Sequence, residues 1–494
     1  MILAIDQGTT GTTIHLTDSH GHQLASAYQE FSQIYPQPGW VEHDPVEIWQ
    51  VTQQMITETV NRAKIKLSDL SCIGITNQRE TTLIWHKETG EPLYNAIVWQ
   101  CRRSSTICQK IKASGKEAWL QQKTGLVVDA YFSATKLQWL FQQKPELKAL
   151  AQQGLLAFGT IDSWLIWRLS NGTAHLTDHT NASRTLLYNI HQQQWDNELL
   201  DFFDIPASVL PEVKSSAGLF CKTHRHSFFG CEIPITGVAG DQQAALFGQQ
   251  CIEPGMVKNT YGTGCFMLMF TGDQAHLSHK GLLTTIACDI SGQPAYALEG
   301  SVFIAGAAIQ WLRDQLQLIN NAKESENLAF SVENTKGVYF VPALSGLGAP
   351  HWQMNATGEI TGLTQGCNKA HIVRATLEAI AFQNYDVLTL MQGESRLNIT
   401  QIKVDGGASK NDFLMQFQAD ILQVPLMRPS HVEATVQGAT MLAAIGQGLW
   451  QADNIPDALV NLGQTFTGKM SKEEGQIIID NWHKAVDKCL FNIK

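Results

Sequence analysis

The chain has 494 residues, of which 44% are hydrophobic and 16% are charged, and its formal net charge is −10. This length and composition predict two or three domains with large cores, and the acidic balance argues against a nucleic-acid surface, which needs clustered lysine and arginine. The ten cysteines are scattered without a C-x-x-C pair, and no apolar run reaches 18 residues, so we expect a reduced, cytoplasmic protein without membrane insertion.

The first predicted elements surround a turn that is rich in glycine and threonine. Residues 2–5 are an apolar run typical of a buried strand, and the segment DQGTTGTT, residues 6–13, follows directly. Residues 12–17 and 23–27 have the pattern of two further strands, so the chain is predicted to begin as a β-meander. The turn can present backbone N–H and hydroxyl donors to a phosphate, although a simple polar β-turn would have the same residues.

Strands and helices then alternate along the chain, which predicts α/β layers. In the first half we expect a helix over residues 47–63, a strand over 71–76, and a pairing between strands at 81–85 and 96–99. In the second half the predicted strands are 257–260, 265–270, 283–287, 295–299 and 401–404, and the predicted helices are 305–316, 372–390 and 434–446. Each half contains a strand followed by glycine and threonine, which predicts two related domains, residues 1–247 and 248–494, with a cleft between them.

Four segments place glycine beside aspartate, threonine or asparagine at a predicted strand end: residues 6–13, 240–243, 260–264 and 404–411. Glycine lets the backbone approach a ligand closely, and a helix that begins after such a turn favours an anion. The opening segment lacks the Gly-Lys-Ser/Thr end of a Walker A loop and the G-x-G-x-x-G of a dinucleotide fold. A strand–turn–strand over phosphates is closer to the actin-like ATPases, so the four segments together predict a nucleotide cleft.

The chain resembles the FGGY carbohydrate kinase family over essentially its full length. The resemblance rests on residues 5–10, 76–81, 98–103, 131–133, 239–243, 259–264 and 404–408, which occur in the family's order. It implies two actin-like ATPase (ribonuclease H-like) domains of the α/β class with a cleft between them. Residues 1–247 would carry the substrate site, the phosphate turn and the catalytic aspartate, and residues 248–494 would carry the nucleotide site.

The Arg79-Glu80 and Tyr131 segments narrow the resemblance to the members that phosphorylate glycerol. It therefore implies ATP-dependent conversion of glycerol to sn-glycerol 3-phosphate, with Asp241 as the general base toward the terminal hydroxyl. Phosphoryl transfer needs such a base beside the attacking hydroxyl. The competing interpretation is that Asp241 only caps a helix over residues 242–249, as aspartate often does.

The resemblance also implies which side chains contact glycerol. A triol needs donors and acceptors for its hydroxyls and an apolar wall for its carbon atoms. From the residues alone, Arg79-Glu80 would be a surface ion pair, and the two wall residues would be ordinary core residues. The implied substrate contacts are Arg79, Glu80, Tyr131, Asp241 and Gln242, with Trp99 and Phe266 as the wall.

The implied nucleotide site draws on both halves of the chain. By resemblance, Asp6 organises Mg²⁺ through water. Gly306 and Gln310 are four residues apart on a predicted helix and therefore share a face, although Gly306 alone would be interpreted as a helix-packing glycine. The implied nucleotide contacts are Thr9, Thr10, Gly11, Thr13, Thr263, Gly306, Gln310, Gly407 and Asn411. The implied partners are glycerol and ATP, and a homodimer or homotetramer is expected.

The sequence departs from the family at two positions. The family typically carries an arginine seven residues after the first aspartate, where this chain has Thr13, so we expect weaker ATP binding or slower turnover. Relatives that fructose 1,6-bisphosphate regulates carry an arginine where this chain has Glu232, and a carboxylate should repel that ligand. A kinase for another small polyol or sugar, or a weakened kinase with a binding or sensing role, stays an alternative.

Overall fold

The structure is a computed structural model, which describes residues 1–353, 355–429, 433–459 and 463–491. The strands before residue 250 are β1 (Ile2–Gln7), β2 (Gly11–Thr17), β3 (Gln23–Glu30), β4 (Glu42–His43), β5 (Cys72–Asn77), β6 (Leu83–His86), β7 (Ala96–Ile97), β8 (Leu156–Gly159), β9 (Leu176–Asp178), β10 (Tyr188–Asn189), β11 (Gln194–Trp195), β12 (Glu212–Lys214), β13 (Ala217–Lys222) and β14 (Pro234–Gly240). The helices of this half are α1 (Pro45–Ala63), α2 (Ser105–Ala113), α3 (Glu117–Thr124), α4 (Ser133–Gln143), α5 (Pro145–Gln152), α6 (Ile161–Leu169), α7 (His179–Ala182), α8 (Asn197–Phe203) and α9 (Asp241–Gly248).

The second half is built in the same way. Its strands are β15 (Val257–Tyr261), β16 (Cys265–Gly272), β17 (Leu283–Cys288), β18 (Pro294–Val302), β19 (Tyr339–Val341), β20 (Glu359–Thr361), β21 (Ile402–Asp405), β22 (Leu426–Arg428) and β23 (Gln464–Phe466). Its helices are α10 (Gly306–Asp314), α11 (Ala322–Phe330), α12 (Lys369–Ser395), α13 (Asp412–Leu422), α14 (Ala434–Gly446) and α15 (Lys472–Phe491). Within the described residues, no helix is both long enough and apolar enough to cross a bilayer.

Each half has one central mixed sheet. The first has the strand order β13-β14-β5-β1-β2-β3 and the second β17-β18-β16-β15-β21-β22-β23. In the first, β1 is antiparallel to β2 and parallel to β5; in the second, β15 is antiparallel to β16 and parallel to β21. The predicted α/β class and the repeated strand–turn–strand are therefore confirmed, and both glycine-threonine turns lie at the same place in their sheets.

One predicted pairing forms only as a single bridge. Strand β6 pairs antiparallel with β8, in register from Leu83 opposite Gly159 to His86 opposite Leu156. Strand β7 pairs with β4, and an isolated bridge from Thr82 to Ile97 joins the two segments that we expected to pair. The main partner of β6 lies 70 to 76 positions further along the chain, and a short apolar run such as residues 155–158 does not reveal its pairing partner from sequence.

Helix α14 lies against the first sheet, although it belongs to the second half of the chain. A Cβ atom on Gly438 would lie 1.8 Å from the carbonyl oxygen of Ala244, and one on Gly74 would lie 2.3 Å from that of Ala439. The small residues of α14 and of the strands beneath it therefore permit a backbone approach that any larger side chain would prevent. This packing fixes the second half of the chain against β1, β5 and β14.

Candidate active site

The opening turn is held at the end of β1 by contacts from three directions. The amide of Gly8 donates to the carbonyl of Gly11 at 3.0 Å, Gln33 Nε2 donates to the carbonyl of Thr9 at 3.1 Å, and Trp99 Nε1 donates to the hydroxyl of Thr9 at 3.0 Å. Thr10 remains exposed at the tip. The turn thus has fixed backbone geometry and an open hydroxyl, which is what a phosphate-binding turn requires.

Asp241 is the first residue of α9 and follows β14 directly. Its Oδ1 atom accepts the amide of Gln242 at 2.7 Å and lies 3.3 Å from Arg79 Nε. Its Oδ2 atom has no protein partner in the part of the chain that the structure describes, and 27% of the side chain is exposed. The N-cap residue is Gly240, so one carboxylate oxygen stabilises the helix start while the other stays open to the cleft.

Beneath Asp241 lies a network of two arginines and two glutamates. Arg79 makes a two-point contact with Glu299, at 2.6 Å from Nη1 and 3.2 Å from Nη2. Arg184 Nε donates to Glu80 Oε1 at 2.6 Å and its Nη2 donates to Glu299 Oε1 at 2.9 Å. Arg79 and Glu80 are 3% and 1% exposed, so the interpretation of these two residues as a surface ion pair is wrong.

The charges of this network balance one another within the protein interior. Burial by itself would raise the pKa of Glu299, but the guanidinium groups of Arg184 and Arg79 lower it to about 2. Burial also raises the pKa of Glu80, and the charges of Arg184 and Arg79 offset only part of that rise. Glu299 therefore stays ionised and anchors both arginines.

Arg184 and Glu299 are the site residues that the sequence analysis missed. The available signal was Glu299, since a carboxylate inside the apolar strand over residues 295–299 must find a buried cation. Arg184 has no comparable signal, because it follows the short helix α7 in a polar segment.

Three aromatic side chains form a wall beside this network. The ring of Trp99 meets those of Tyr131 and Phe266 edge-on, with centroid distances of 5.5 Å and 6.4 Å. All three are partly exposed, unlike the residues of the hydrophobic cores. They therefore line an open surface rather than a core, and Trp99 joins that surface to the opening turn through Thr9.

A separate cavity of about 530 Å³ lies in the second half of the chain. Its floor is formed where α10 begins on the turn after β15, because the amide of Gly306 donates to the carbonyl of Gly262 at 3.0 Å. A Cβ atom on Gly306 would lie 2.5 Å from that carbonyl, so this glycine is both a packing and a lining residue. Five residues predicted for the nucleotide line the cavity: Thr263, Gly306, Gln310, Gly407 and Asn411.

The cavity also carries side chains that the sequence analysis did not select. Lys323, Lys410 and Arg313 line it together with the apolar Ile309 and Leu377. Asn411 caps α13 by accepting the amide of Leu414 at 2.9 Å. A cavity whose lining combines apolar side chains with three cations and the carboxylate of Glu326 can hold an apolar ring and a charged group together.

Asp6 lies at the end of β1, opposite Thr13 in the β1–β2 pair. Burial raises the pKa of Asp6 to about 7, and the like charges of Asp241 and Glu433 add to that rise. Among the described residues, no set of three histidine, cysteine, aspartate or glutamate side chains is arranged to hold a metal ion. Asp6 thus lies close enough to Asp241 and Glu433 for their charges to interact, and carboxylate oxygens are ligands that Mg²⁺ takes in proteins.

The fold and this geometry define a class of protein. The duplicated, mixed α/β fold carries a carboxylate with one open oxygen at the start of α9, a glycine- and threonine-rich turn after β1 and a cavity in its second half. That combination is typical of the two-domain kinases that phosphorylate small molecules.

The comparisons with known proteins place the chain within that class. Residues 1–248 match the N-terminal domain of the FGGY family of carbohydrate kinases, and residues 257–446 match its C-terminal domain. The chain belongs to the FGGY family of carbohydrate kinases, as the sequence motifs predicted.

Several relatives are similar over their whole length. The chain is 53% identical to a glycerol kinase of Caldanaerobacter subterraneus subsp. tengcongensis, over 99% of this chain and 98% of that protein. It is also 53% identical to a glycerol kinase of Treponema denticola, over 99% of each chain. Among solved structures, Plasmodium falciparum glycerol kinase with ADP is 39% identical, with a TM-score of 0.94 over 99% of this chain and 98% of that one. A ligand-bound xylulose kinase of Lactobacillus acidophilus, 23% identical, shares the fold over the full chain, with a TM-score of 0.88 over 99% of its own length.

Proposed function

We propose that this protein transfers the γ-phosphoryl group of ATP to glycerol and releases sn-glycerol 3-phosphate and ADP. The observation that carries the proposal is Asp241, whose open Oδ2 atom lies between the buried arginine network and the cleft. Relatives that are 53% identical over full length are glycerol kinases, and a structural neighbour that binds ADP has the same two-domain fold. These support both the substrate and the nucleotide.

In this proposal Asp241 acts on the terminal hydroxyl of glycerol. The hydroxyl oxygen forms a bond to the γ-phosphorus, the bond from that phosphorus to the β–γ bridging oxygen breaks, and the hydroxyl proton passes to Asp241. Arg79 and Gln242 orient the remaining hydroxyls, and Trp99, Tyr131 and Phe266 cover the carbon atoms. With glycerol bound, the same aromatic rings would help to keep water from the reacting hydroxyl, which limits idle hydrolysis of ATP.

The nucleotide would occupy the cavity in the second half of the chain, with its phosphates directed to the opening turn. Thr263, Gly306, Gln310, Gly407 and Asn411 would contact the nucleoside end. Thr9, Thr10 and Gly11 would contact the phosphates, with Thr13 close by. Asp6 would hold Mg²⁺ through water, and the ion would neutralise charge that develops on the transferred group.

Thr13 favours a second, weaker form of the same function. The arginine expected at this position would add a charge near the phosphates, whereas a threonine hydroxyl adds one neutral donor. A protein that binds nucleotide and polyol but turns over slowly would then serve for binding or sensing.

The test is an ADP-release assay with Mg²⁺-ATP and a panel of polyols and sugars. We expect turnover that depends on glycerol and falls by about 10²–10⁴-fold in Asp241→Asn. The matched control is Asp204→Asn. Asp204 is exposed at the end of α8, and asparagine tolerates the left-handed backbone conformation that this residue adopts. Turnover that is independent of the polyol, or unchanged in Asp241→Asn, would contradict the proposal. The cytoplasmic location and the homodimer or homotetramer stay predictions, which fractionation and light scattering would test.

A further inference from the structure

Lys258 in β15 is a buried cation that the proposed reaction leaves without a role. Its side chain is 0% exposed, and no carboxylate lies within ion-pair distance of it in residues 1–353, 355–429, 433–459 and 463–491. Its Nζ donates to Gln242 Oε1 at 2.5 Å, to the Thr260 hydroxyl at 2.8 Å and to the carbonyl of Phe266 at 3.4 Å. Each of the three ammonium protons therefore has an acceptor. Two of the acceptors belong to Gln242 and Phe266, the residues proposed to contact glycerol, which we call the substrate surface together with Arg79, Trp99 and Tyr131.

The contact determines how the carboxamide of Gln242 is oriented. An ammonium group has three donors and no acceptor, so only the oxygen of the amide can face it. The opposite orientation would place the amide NH₂ against the ammonium protons. The oxygen of Gln242 is thus held by Lys258, and the amide NH₂ is the group left to face the cleft.

We propose that Lys258 is a positioning residue for the substrate, which fixes Gln242 as a hydrogen-bond donor. The inference rests on the proposed function, because it assigns a role within the same polyol site. The adjacent pair then has complementary chemistry: Asp241 accepts from one hydroxyl, and Gln242 donates to the oxygen of another. The same ammonium also holds the backbone of Phe266, and so sets the wall against which the carbon atoms rest.

The energetics argue for orientation rather than stability as the role of Lys258. Burial lowers the pKa of this ammonium. Asp405 and Asp241 lie beyond ion-pair distance, and their charges offset only part of that decrease. Removing a charge from water without a paired carboxylate costs free energy. A methionine of similar volume would avoid that cost, but it could not hold the amide oxygen.

A double-mutant cycle tests whether Lys258 acts through Gln242. We expect Lys258→Met to lower kcat/KM for glycerol by about 10- to 150-fold, the range for losing a hydrogen bond to a charged group. The KM for ATP should change by less than about twofold, because the nucleotide cavity does not include Lys258. In a Gln242→Leu background the same lysine change should have a much smaller effect, limited to the loss of the Phe266 contact, because residues that act as one unit are not additive.

The matched control is Lys403→Met. Lys403 lies beside Lys258 in the register of β15 and β21, but its Nζ donates to the carbonyl of Gln249 at 2.5 Å and not to a substrate residue. This control should leave the glycerol parameters within about twofold of the wild type, and Lys258→Arg should restore part of the loss.

Gln242→Glu keeps the proposal testable if Lys258→Met does not fold. A glutamate still accepts from Lys258 but has no NH₂ to donate. Gln242→Glu should therefore lower the affinity for glycerol as Gln242→Leu does. Full affinity in Gln242→Glu, equal effects of Lys258→Met in both backgrounds, or an effect on ATP alone would each overturn the proposal. A wild type that uses another polyol would refute the substrate assignment instead, and the cycle would be measured with that polyol.

Discussion

Replacing Glu299 with glutamine changes the buried network without changing its shape. Glu299 accepts from Arg79 Nη1 at 2.6 Å, from Arg79 Nη2 at 3.2 Å and from Arg184 Nη2 at 2.9 Å. A glutamine keeps one acceptor oxygen, but its NH₂ group must then face guanidinium donors. The substitution therefore loses a negative charge and creates at least one contact between two donors.

The size of the effect follows from the shift of the Glu299 pKa. The two arginines overcome the effect of burial and lower this pKa from 4.5 to about 2, which corresponds to about 3 kcal/mol at 1.4 kcal/mol for each factor of ten in proton binding. Breaking a buried ion pair by removing one partner costs a similar 3–5 kcal/mol, roughly. For domains of 150–250 residues this loss lowers Tm by about 6–12 °C.

The contribution of Glu299 to the free energy of unfolding depends on pH. The folded pKa of Glu299 lies below the unfolded value, so its stabilisation is present above about pH 4.5 and is lost as the pH falls toward 2. Differential scanning calorimetry of wild type and Glu299→Gln should show the full gap in Tm at pH 7. The gap should narrow as the pH is lowered below 4.5.

Glu378→Gln is a control whose expected effect on stability at neutral pH is opposite to that of Glu299→Gln. Burial raises the pKa of Glu378 to about 7, despite the nearby Arg374. Its charge therefore costs stability as the pH rises from about 4.5 through 7, and glutamine should be neutral or stabilising above pH 7. If Glu299→Gln is as stable as the wild type at pH 7, or follows the same pH profile as Glu378→Gln, the reasoning about the network is wrong.

Two further predictions concern the departures from the family. Thr13→Arg should raise kcat or lower the KM for ATP by roughly 5- to 150-fold, the range for one charged phosphate contact. The control Thr13→Gln has a long but neutral side chain and should change neither parameter. If Thr13→Arg gives no gain, the proposal that Thr13 weakens phosphate binding is wrong. Fructose 1,6-bisphosphate should not inhibit the wild type through Glu232, which is half-exposed and paired with Arg225 Nε at 3.0 Å. Inhibition that disappears when Glu232 is changed would contradict this second prediction.

Elements whose signal is local could be predicted from the sequence. The strand over residues 2–5 is an apolar run, the strands after residues 256 and 400 are short segments followed by a glycine turn, and the structure has β1, β15 and β21 there. Helix α1 begins at Pro45, two residues before the predicted start, because Asp44 caps it by accepting the amide of Val46. Glycine, proline and capping residues act within a few positions, so a single sequence contains them.

What could not be predicted depends on contacts between distant segments. The pairing of β6 with β8 joins residues 70 to 76 positions apart. The bonds from Glu299 to Arg79 and Arg184 span 220 and 115 positions. Many buried partners would satisfy the same local pattern, and only the folded sheet selects among them.

The long-range contacts also explain why one cleft can align two substrates. Arg79 and Gln242 lie in the part of the chain that matches the N-terminal domain of the family, and Glu299 and Lys258 lie in the part that matches its C-terminal domain. The Arg79–Glu299 and Arg184–Glu299 ion pairs and the Lys258–Gln242 hydrogen bond therefore join these two parts of the chain close to Asp241. In the proposed reaction the phosphates lie at the opening turn of the first part and the nucleoside lies in the cavity of the second, so in-line transfer would require a fixed relation between the two parts. In the proposed reaction the Arg79–Glu299 and Gln242–Lys258 contacts would supply that relation beside Asp241, where an error of 1 Å would cost about 10²-fold in rate.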